Sequence, residues 1–294
     1  MAGNRAATLA SETVFHIHLM KTAGTTVNSS LRDFYPPALR YVQAEQVAEA
    51  IRMKTSPELL LGLPAERRAA LRFINAHMPL TVARRYREAT DTRVVITLLL
   101  RDGLDRAVSN LRHLARQLDF TYSYRELLDD PVLGGFFLTN HQTRALGMSG
   151  SDAQWDEWQR CFGCLLYLRM YMKSPDARFP VSAVDGADLQ RAVAALADID
   201  VLGLQSGFDA WWRSCHARLG WPAVHHPPVN VGAEKARVVA PKIPADVMDE
   251  LRDRNKLDAQ LYAAAAELLS APAPASAQVQ KNRFARVIEK IVRR

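Results

Sequence analysis

The sequence predicts an α/β domain built on a mostly parallel β-sheet that is flanked by helices. Short apolar and β-branched runs alternate along the chain with longer stretches in which apolar residues have helical spacing, and this alternation is typical of strands joined by crossover helices. The runs contain few polar residues, as strands covered on both faces require. The predicted strands span residues 14–19, 72–76, 93–100 and 199–204.

Length and composition favour one large domain. The chain has 294 residues, of which 48% are hydrophobic and 23% charged, so it can bury a sizeable core. We assign residues 1–12 to a flexible N-terminus and residues 13–270 to the α/β domain. The Pro- and Ala-rich stretch 271–280 predicts a linker, and residues 281–294 predict a basic amphipathic helix.

The net charge of +7 is concentrated near the C-terminus. Residues 281–294 hold six Lys or Arg and one Glu, so this segment contributes +5 and the rest of the chain only +2. Because residues 1–280 are nearly balanced, we expect no general nucleic-acid-binding surface. The basic C-terminal helix predicts at most weak attachment to a membrane surface, or self-association.

The chain has the features of a cytoplasmic protein. It contains no run of about 18 uninterrupted apolar residues, and its first residues lack the charged-then-apolar pattern of a secretory signal. Its three cysteines are too few and too unevenly spaced for a disulfide framework, as is usual in a reducing compartment. Cys161 and Cys164 form a C-x-x-C inside a stretch of helical periodicity, which favours packing over a redox or zinc role.

The junction between the first predicted strand and the following helix, "HIHLMKTAGTTVNSSL", predicts an anion-binding loop. A helix N-terminus offers unpaired N–H groups and the positive end of the helix dipole. Gly24 would allow close approach of the backbone, Thr25 and Thr26 add hydroxyl donors, and Lys21 adds a charge. These are the features of a phosphate-binding loop, although the sequence differs from the common nucleotide-binding pattern G-x-x-x-x-G-K-[ST]. The predicted binding residues are Lys21, Thr22, Ala23, Gly24, Thr25 and Thr26.

A second segment of interest is residues 94–113, "VVITLLLRDGLDRAVSNLRH". Arg101 ends a predicted strand, beside the first turns of the next helix, and Ser109 lies about two turns into that helix. This spacing is compatible with a guanidinium and a hydroxyl that contact the same anion.

Four segments together resemble the PAPS-dependent sulfotransferases, in particular the branch that includes carbohydrate and heparan sulfate 2-O-sulfotransferases. The loop at 21–26 resembles the 5′-phosphosulfate loop of that family, and residues 94–113 resemble its second motif. Residues 140–144 resemble an Asn-x-Gln-Thr-Arg segment of the branch. Residues 251–265 resemble its closing helix, which carries Asn-x-x-Asp-x-x-Leu-Tyr.

The resemblance implies a P-loop-type, sulfotransferase-like fold and a direct in-line sulfuryl transfer. The co-substrate would be 3′-phosphoadenosine 5′-phosphosulfate (PAPS), the acceptor a hydroxyl of a carbohydrate, lipid or small metabolite, and no metal would be required. Arg101 and Ser109 would bind the 3′-phosphate, with Arg144 as a further cofactor-binding residue. Lys21 would neutralise charge on the bridging oxygen of the leaving group.

His77 is the candidate base. In "FINAHMPL" it follows a predicted strand and precedes Pro79, which would place the imidazole at the same sheet edge as the other loops. The resemblance implies that this histidine accepts the proton of the acceptor hydroxyl. His113 and His141 are alternative bases. Gln142 and Thr143 could line the cleft or join helices.

Two other functions remain open at the level of sequence. A kinase would need a magnesium site built from a loop hydroxyl and a strand-end carboxylate, for which Asp102 is the only obvious candidate. A non-enzymatic protein on the same scaffold would bind an anionic partner without turnover. The residue types do not identify an acceptor, whose pocket we expect to involve residues 32–50 and 121–135.

Overall fold

The computed structural model of the chain describes residues 12–42, 56–227 and 241–270, together with Glu289. Within these residues a single five-stranded sheet runs in the order β2-β3-β1-β4-β5, and every pair of neighbouring strands is parallel. The predicted α/β fold with a mostly parallel sheet is therefore confirmed, and the sheet is parallel throughout. The strands are β1 (Glu12–Ile17), β2 (Arg40–Val42), β3 (Phe73–Ala76), β4 (Arg93–Leu100) and β5 (Val201–Leu204).

The four predicted strands are β1, β3, β4 and β5. The ends of β4 match the prediction, whereas β1 begins and ends two residues earlier than predicted and β5 begins two residues later. The short edge strand β2 was not predicted, because its three residues lie in a stretch that we interpreted as an acceptor loop. A strand of this length has too few residues to show the two-residue alternation that marks a strand in a sequence.

Helices cover both faces of the sheet. The first six are α1 (Gly24–Leu31), α2 (Ser56–Leu61), α3 (Ala65–Ala70), α4 (Leu80–Glu88), α5 (Gly103–Gln117) and α6 (Tyr124–Asp129). The others are α7 (His141–Gly147), α8 (Asp152–Leu166), α9 (Leu168–Met172), α10 (Gly186–Ala195), α11 (Phe208–Leu219), α12 (Ala245–Arg254) and α13 (Lys256–Ser270). A π-helical turn, Leu133–Phe137, precedes α7.

Alternate residues of the central strands enter two separate apolar clusters. In β1, Phe15 joins the larger cluster and Val14 the smaller one, as the two-residue period of a strand requires. The larger cluster includes apolar residues of α4, α5, α7 and α10, and the smaller one is built on α1 and α11. Gly203 in β5 permits part of this packing, because a Cβ there would lie 2.3 Å from the ring of Trp211.

Several predicted segments lie wholly or mostly outside the described residues. These are the N-terminus, of which only residue 12 is described, the linker 271–280, and the C-terminal helix 281–294, of which only Glu289 is described. The last described helix of the domain, α13, ends at Ser270. Among the described helices, none combines the length and the apolar character needed to cross a membrane.

Candidate anion-binding site at the carboxyl edge of the sheet

The candidate site lies where the strand order reverses. The chain leaves β1 toward β2 on one side of the sheet and leaves β4 toward β5 on the other, and β1 and β4 are neighbours. In open α/β sheets the carboxyl ends of such strands border a ligand-binding crevice. The loop after β1 carries Lys21, Arg101 directly follows β4, and His77 directly follows β3, the other neighbour of β1. The three residues predicted from separate motifs therefore lie at one edge.

The loop after β1 has an unusual backbone. Lys21 has φ 69° and Ala23 has φ 72° with ψ 10°, so two non-glycine residues adopt the left-handed conformation on either side of Thr22. Thr22 is buried, and its hydroxyl donates to the carbonyl of Leu19 at 2.8 Å. Alternating backbone conformations of this kind turn successive N–H groups toward one side of the chain, which creates a concavity suited to an anion. Strained residues of this kind cluster at ligand sites.

The N-terminus of α1 has no side-chain cap. Ala23 occupies the N-cap position and makes no capping hydrogen bond. The N-cap residues of α3, α4, α7, α9, α11 and α12 also make none, whereas those of α5, α6, α8 and α10 accept a hydrogen bond through their side chains. Uncapped N–H groups and the positive end of the helix dipole are the elements that bind phosphate and sulfate groups. Thr25 is exposed in the first turn, and Thr26 is buried.

Gly24 has a second structural role that the sequence did not indicate. A Cβ at this position would lie 1.9 Å from Cδ2 of His18, so the ring of His18 occupies the space that a side chain would need. The ring of His18 lies 4.0 Å from the ring of His77, centroid to centroid. Gly24 thus allows the imidazole of His18 to fill the gap between the phosphate-type loop and the candidate base.

Substitution Gly24→Ala is expected to lower the free energy of unfolding by about 1–3 kcal/mol, because the backbone and the His18 ring must move apart. Chemical denaturation measures the change. Gly163→Ala in α8 is the matched control, since its Cβ would meet nothing within 4 Å, and removing a mid-helix glycine should raise stability by about 0.5–1 kcal/mol. Equal stability of the Gly24→Ala variant and the unsubstituted protein would contradict the packing described for His18.

Arg101 is hydrogen-bonded to the loop after β1. Its Nη1 donates to the carbonyl of Lys21 at 3.2 Å, which joins the two loops across the point where the strand order reverses. Its Nε is buried and has no hydrogen-bond partner among the described residues. Ser109 is half-buried on α5, eight residues after Arg101. Asp102, between β4 and α5, caps α5 by accepting from the N–H of Asp105 at 3.0 Å.

The site has an excess of positive charge. Burial lowers the pKa of Lys21, and the charges of Arg116 and Arg101 lower it further. No ion pair among the described residues includes Lys21, Arg101 or Arg116. Repulsion among cations that lack a carboxylate partner is relieved when an anion binds between them.

His77 is held in an orientation that suits a base. Its Nδ1 lies 2.6 Å from the carbonyl oxygen of His18, and because a carbonyl only accepts, Nδ1 carries the proton and Nε2 does not. Trp158 donates from Nε1 to the backbone carbonyl of His77 at 3.4 Å, and the ring of Phe162 stacks at 6.0 Å. Burial lowers the pKa of His77 to about 4; the hydrogen bond to His18 opposes this shift and the charge of Lys21 adds to it.

The two alternative bases have different surroundings. Burial lowers the pKa of His113 to about 4, with further lowering by Lys21 and Arg116, so this ring lies in the electrostatic field of the site. His141 is buried, its Nδ1 lies 3.1 Å from the carbonyl of Phe136, and its ring stacks on Trp158 at 5.7 Å. Burial holds the pKa of His141 well below its ordinary value. His113 is therefore the better placed alternative.

Arg144 makes its described contacts with residues that do not belong to the three loops. Its guanidinium pairs with Glu157 at 3.0 Å and donates to the carbonyls of Gly135 and Ser182 at 3.2 and 2.7 Å. These contacts join α7 to α8 and to the segment before α10. The prediction that Arg144 binds the cofactor therefore gains no support from these contacts and stays a prediction.

The cysteines are free thiols. Cys161 and Cys215 are buried, and Cys164 is partly buried in the same apolar cluster as Cys161. Burial raises the pKa of the Cys164 thiol to about 11 and raises those of Cys161 and Cys215 as well. Among the described residues no group of three or more His, Cys, Asp or Glu side chains is arranged to hold a metal ion.

Two residues of the site were missed at the level of sequence. His18 was interpreted as a strand residue, although its position one residue beyond β1 places its ring between Gly24 and His77. Arg116 was not considered, although Ser109, His113 and Arg116 are spaced four and three residues apart and share one face of α5. That spacing was the available signal.

Comparison with known proteins identifies no family. No protein-family model matches the chain, and no curated protein matches it significantly. A functional conclusion therefore rests on the residues and on their geometry.

Proposed function

We propose that the protein is a PAPS-dependent sulfotransferase that transfers a sulfuryl group to an acceptor hydroxyl. One observation carries the proposal: Lys21, His77 and Arg101 follow three adjacent parallel strands and converge at the edge where the strand order reverses. The residues come from motifs that were each interpreted separately, and hydrogen bonds join their loops. The uncapped start of α1 and the cations around Lys21, which form no ion pair within the described part of the chain, would supply the sites that an anionic donor requires.

The donor's two ends would bind to different elements. The 5′-phosphosulfate would lie on the 21–26 loop and the N-terminus of α1, with Lys21 at the bridging oxygen. The 3′-phosphate would lie at Arg101 and Ser109. The buried Nε of Arg101 has no hydrogen-bond partner in the part of the chain that the structure describes, and a phosphate oxygen would give it one.

The transfer is an in-line displacement. The acceptor oxygen forms a bond to sulfur while the bond from sulfur to the bridging oxygen breaks, and 3′-phosphoadenosine 5′-phosphate (PAP) leaves with that electron pair. The acceptor proton passes to Nε2 of His77, the unprotonated ring nitrogen. Lys21 stabilises the negative charge that grows on the bridging oxygen, an interaction made mainly in the transition state.

Arg101→Gln is expected to weaken PAP binding about 10- to 100-fold, the loss that follows removal of a hydrogen bond to a charged group. Titration calorimetry with PAP and with AMP separates the contribution of the 3′-phosphate, and AMP affinity should change little. Arg213→Gln is the matched control, because Arg213 is an exposed arginine on α11.

Three results would contradict the proposal. If the unsubstituted protein binds AMP as tightly as PAP, the 3′-phosphate site does not exist. If it prefers ATP with magnesium, the kinase interpretation replaces this one. Binding of PAP without turnover on any class of hydroxyl acceptor would instead favour a binding protein.

A further inference from the structure

Gln142 is hydrogen-bonded to both backbone groups of Arg101. Its Oε1 accepts from the N–H of Arg101 at 2.9 Å, and its Nε2 donates to the carbonyl of Arg101 at 2.7 Å. Gln142 is completely buried at the start of α7. Arg101 has left the ladder of β4 and has not yet entered α5, so the amide of Gln142 replaces the neighbouring strand as the partner of its backbone.

Gln142 is itself held by a buried carboxylate. One oxygen of Asp258 accepts from the N–H of Gln142 at 3.2 Å, and the other accepts from the N–H and the hydroxyl of Thr143 at 2.8 and 2.9 Å. Asp258 lies in the first turn of α13 and forms an ion pair with Arg106, Nε to Oδ2, at 3.5 Å. Both charged side chains are completely buried. A carboxylate with this many donors keeps a single orientation.

Two asparagines complete the attachment of α7 to α13. Asn140 has φ 43° and ψ 40°, and its Oδ1 accepts from the N–H groups of Leu257 and Asp258, each at 3.1 Å. Its own N–H donates to Oδ1 of Asn255 at 3.1 Å. Nδ2 of Asn255 donates to the carbonyl of Leu138 at 2.6 Å. Asn140 thus bonds to backbone N–H groups at the start of α13, and Asn255 bonds to backbone groups just before α7. These hydrogen bonds fix the position of α7 relative to α13.

We propose that Gln142 is a positioning residue for Arg101, and that it sets the preference of the site for nucleotides that carry a 3′-phosphate. This inference rests on the proposed function. With both backbone groups held by Gln142 and the guanidinium held at the carbonyl of Lys21, Arg101 is ordered before the ligand arrives. Without Gln142, part of the binding free energy would be spent on ordering Arg101. Only ligands with a 3′-phosphate would lose affinity in this way, because Arg101 is the residue that binds that phosphate.

Titration calorimetry with PAP and AMP on the full chain tests the inference. Gln142→Met keeps the length of the side chain and removes both hydrogen bonds. The variant is expected to lose about tenfold in affinity for PAP, while its affinity for AMP stays unchanged. About tenfold is the lower end of the loss seen when a residue that orients a metal ligand is removed. Unchanged AMP affinity also shows that the variant is folded.

Two further variants make the result specific. Gln142→Glu keeps the shape and one hydrogen bond, and should also lower the ratio of PAP to AMP affinity, so it serves if Gln142→Met does not fold. Thr13→Val is the matched structural control. It removes a buried hydrogen bond, from Thr13 to the carbonyl of Leu71 at 2.7 Å, at the opposite end of β1, and should leave the ratio unchanged.

The outcomes separate this inference from the proposed function. A 3′-phosphate preference in the unsubstituted protein that persists undiminished in Gln142→Met would overturn the positioning role and leave the proposed function intact. An unsubstituted protein without that preference would overturn both. Equal losses for PAP and AMP in Gln142→Met would also overturn the inference, because they would report a general change in structure.

Discussion

Lys21→Met is expected to reduce the turnover number for sulfuryl transfer by about 100- to 1000-fold, the usual effect of removing one group that stabilises charge in a transition state. Methionine keeps most of the length of the side chain and places an L-residue in the same left-handed conformation, so the loop backbone should persist. The carbonyl of residue 21, which accepts from Arg101, is unaffected by the side chain. Single-turnover measurements with saturating PAPS report the chemical step.

The expected effect of Lys21→Met on PAP affinity is much smaller than its effect on turnover, because the bridging oxygen gains most of its charge only as the sulfur–oxygen bond breaks. Lys21 also lies among other cations, Arg101 and Arg116, which lower its pKa and remain to attract the donor. Lys173→Met, at an exposed lysine that follows α9, is the matched control. Turnover within a few-fold of the unsubstituted protein would show that Lys21 has no role at the reacting atoms.

The sheet and the residues at its carboxyl edge could be predicted because they depend on local patterns. Buried strands such as β4 are continuous apolar runs, and residues that follow such strands must meet at one edge when all strands are parallel. That argument placed Lys21, His77 and Arg101 together before any contact was known. It needs only strand direction and order in the chain, and it does not need side-chain packing.

Contacts between distant segments could not be predicted in the same way. The hydrogen bonds that join residues 140–143 to Asn255 and Asp258 link positions between 115 and 118 residues apart. No periodicity connects two segments at such a separation. The resemblance marked both segments as landmarks, but it gave no physical reason for them. The physical reason is that each of the two segments supplies the hydrogen-bond partners of the other.

The contacts of residues in the loop after β1 were also only partly predictable. Thr22 was predicted as one of the binding residues of the loop, and its hydroxyl donates to the carbonyl of Leu19 within the turn. Gly24 was expected to admit a ligand, and the structure adds the ring of His18 against it. In both cases the residue type was read correctly as belonging to a tight loop. Which atom fills the available space depends on neighbours that only the folded chain brings together.

His77→Asn is expected to lower the turnover number by about 100- to 10,000-fold, the range that general base catalysis supplies, while PAP affinity stays unchanged. Asparagine can still donate from Nδ2 to the carbonyl of His18, as Nδ1 of His77 does, but it has no counterpart of Nε2. The substitution therefore removes the base and retains the hydrogen bond that orients it. His216→Asn is the matched control, since Nδ1 of His216 makes the same kind of contact with the carbonyl of Trp221, away from the candidate site.

The pH dependence gives an independent test of His77. Catalysis requires the neutral ring, so protonation at low pH removes activity, and a pKa of about 4 in the free protein means that kcat/KM should stay level from about pH 8 down to about pH 5. An ordinary histidine would instead lose activity below about pH 6.5. An anionic donor bound beside the ring stabilises the protonated imidazole and so raises the pKa of His77 in the complex. Because kcat reports the complex and kcat/KM the free protein, kcat should begin to fall at a higher pH than kcat/KM.

Comparison of His77→Asn with His113→Asn identifies the base. If His77→Asn keeps full turnover and His113→Asn loses it, the proton passes to His113, whose pKa burial also lowers to about 4. The pH profiles of the two histidines would look alike, so the substitutions decide between them. If neither variant loses turnover, the acceptor proton leaves through solvent, and the loops at this edge bind and orient the reactants without a base. The orientation of His77 by the carbonyl of His18 favours His77 as the base, because a ring held with Nε2 unprotonated is already prepared to accept the proton.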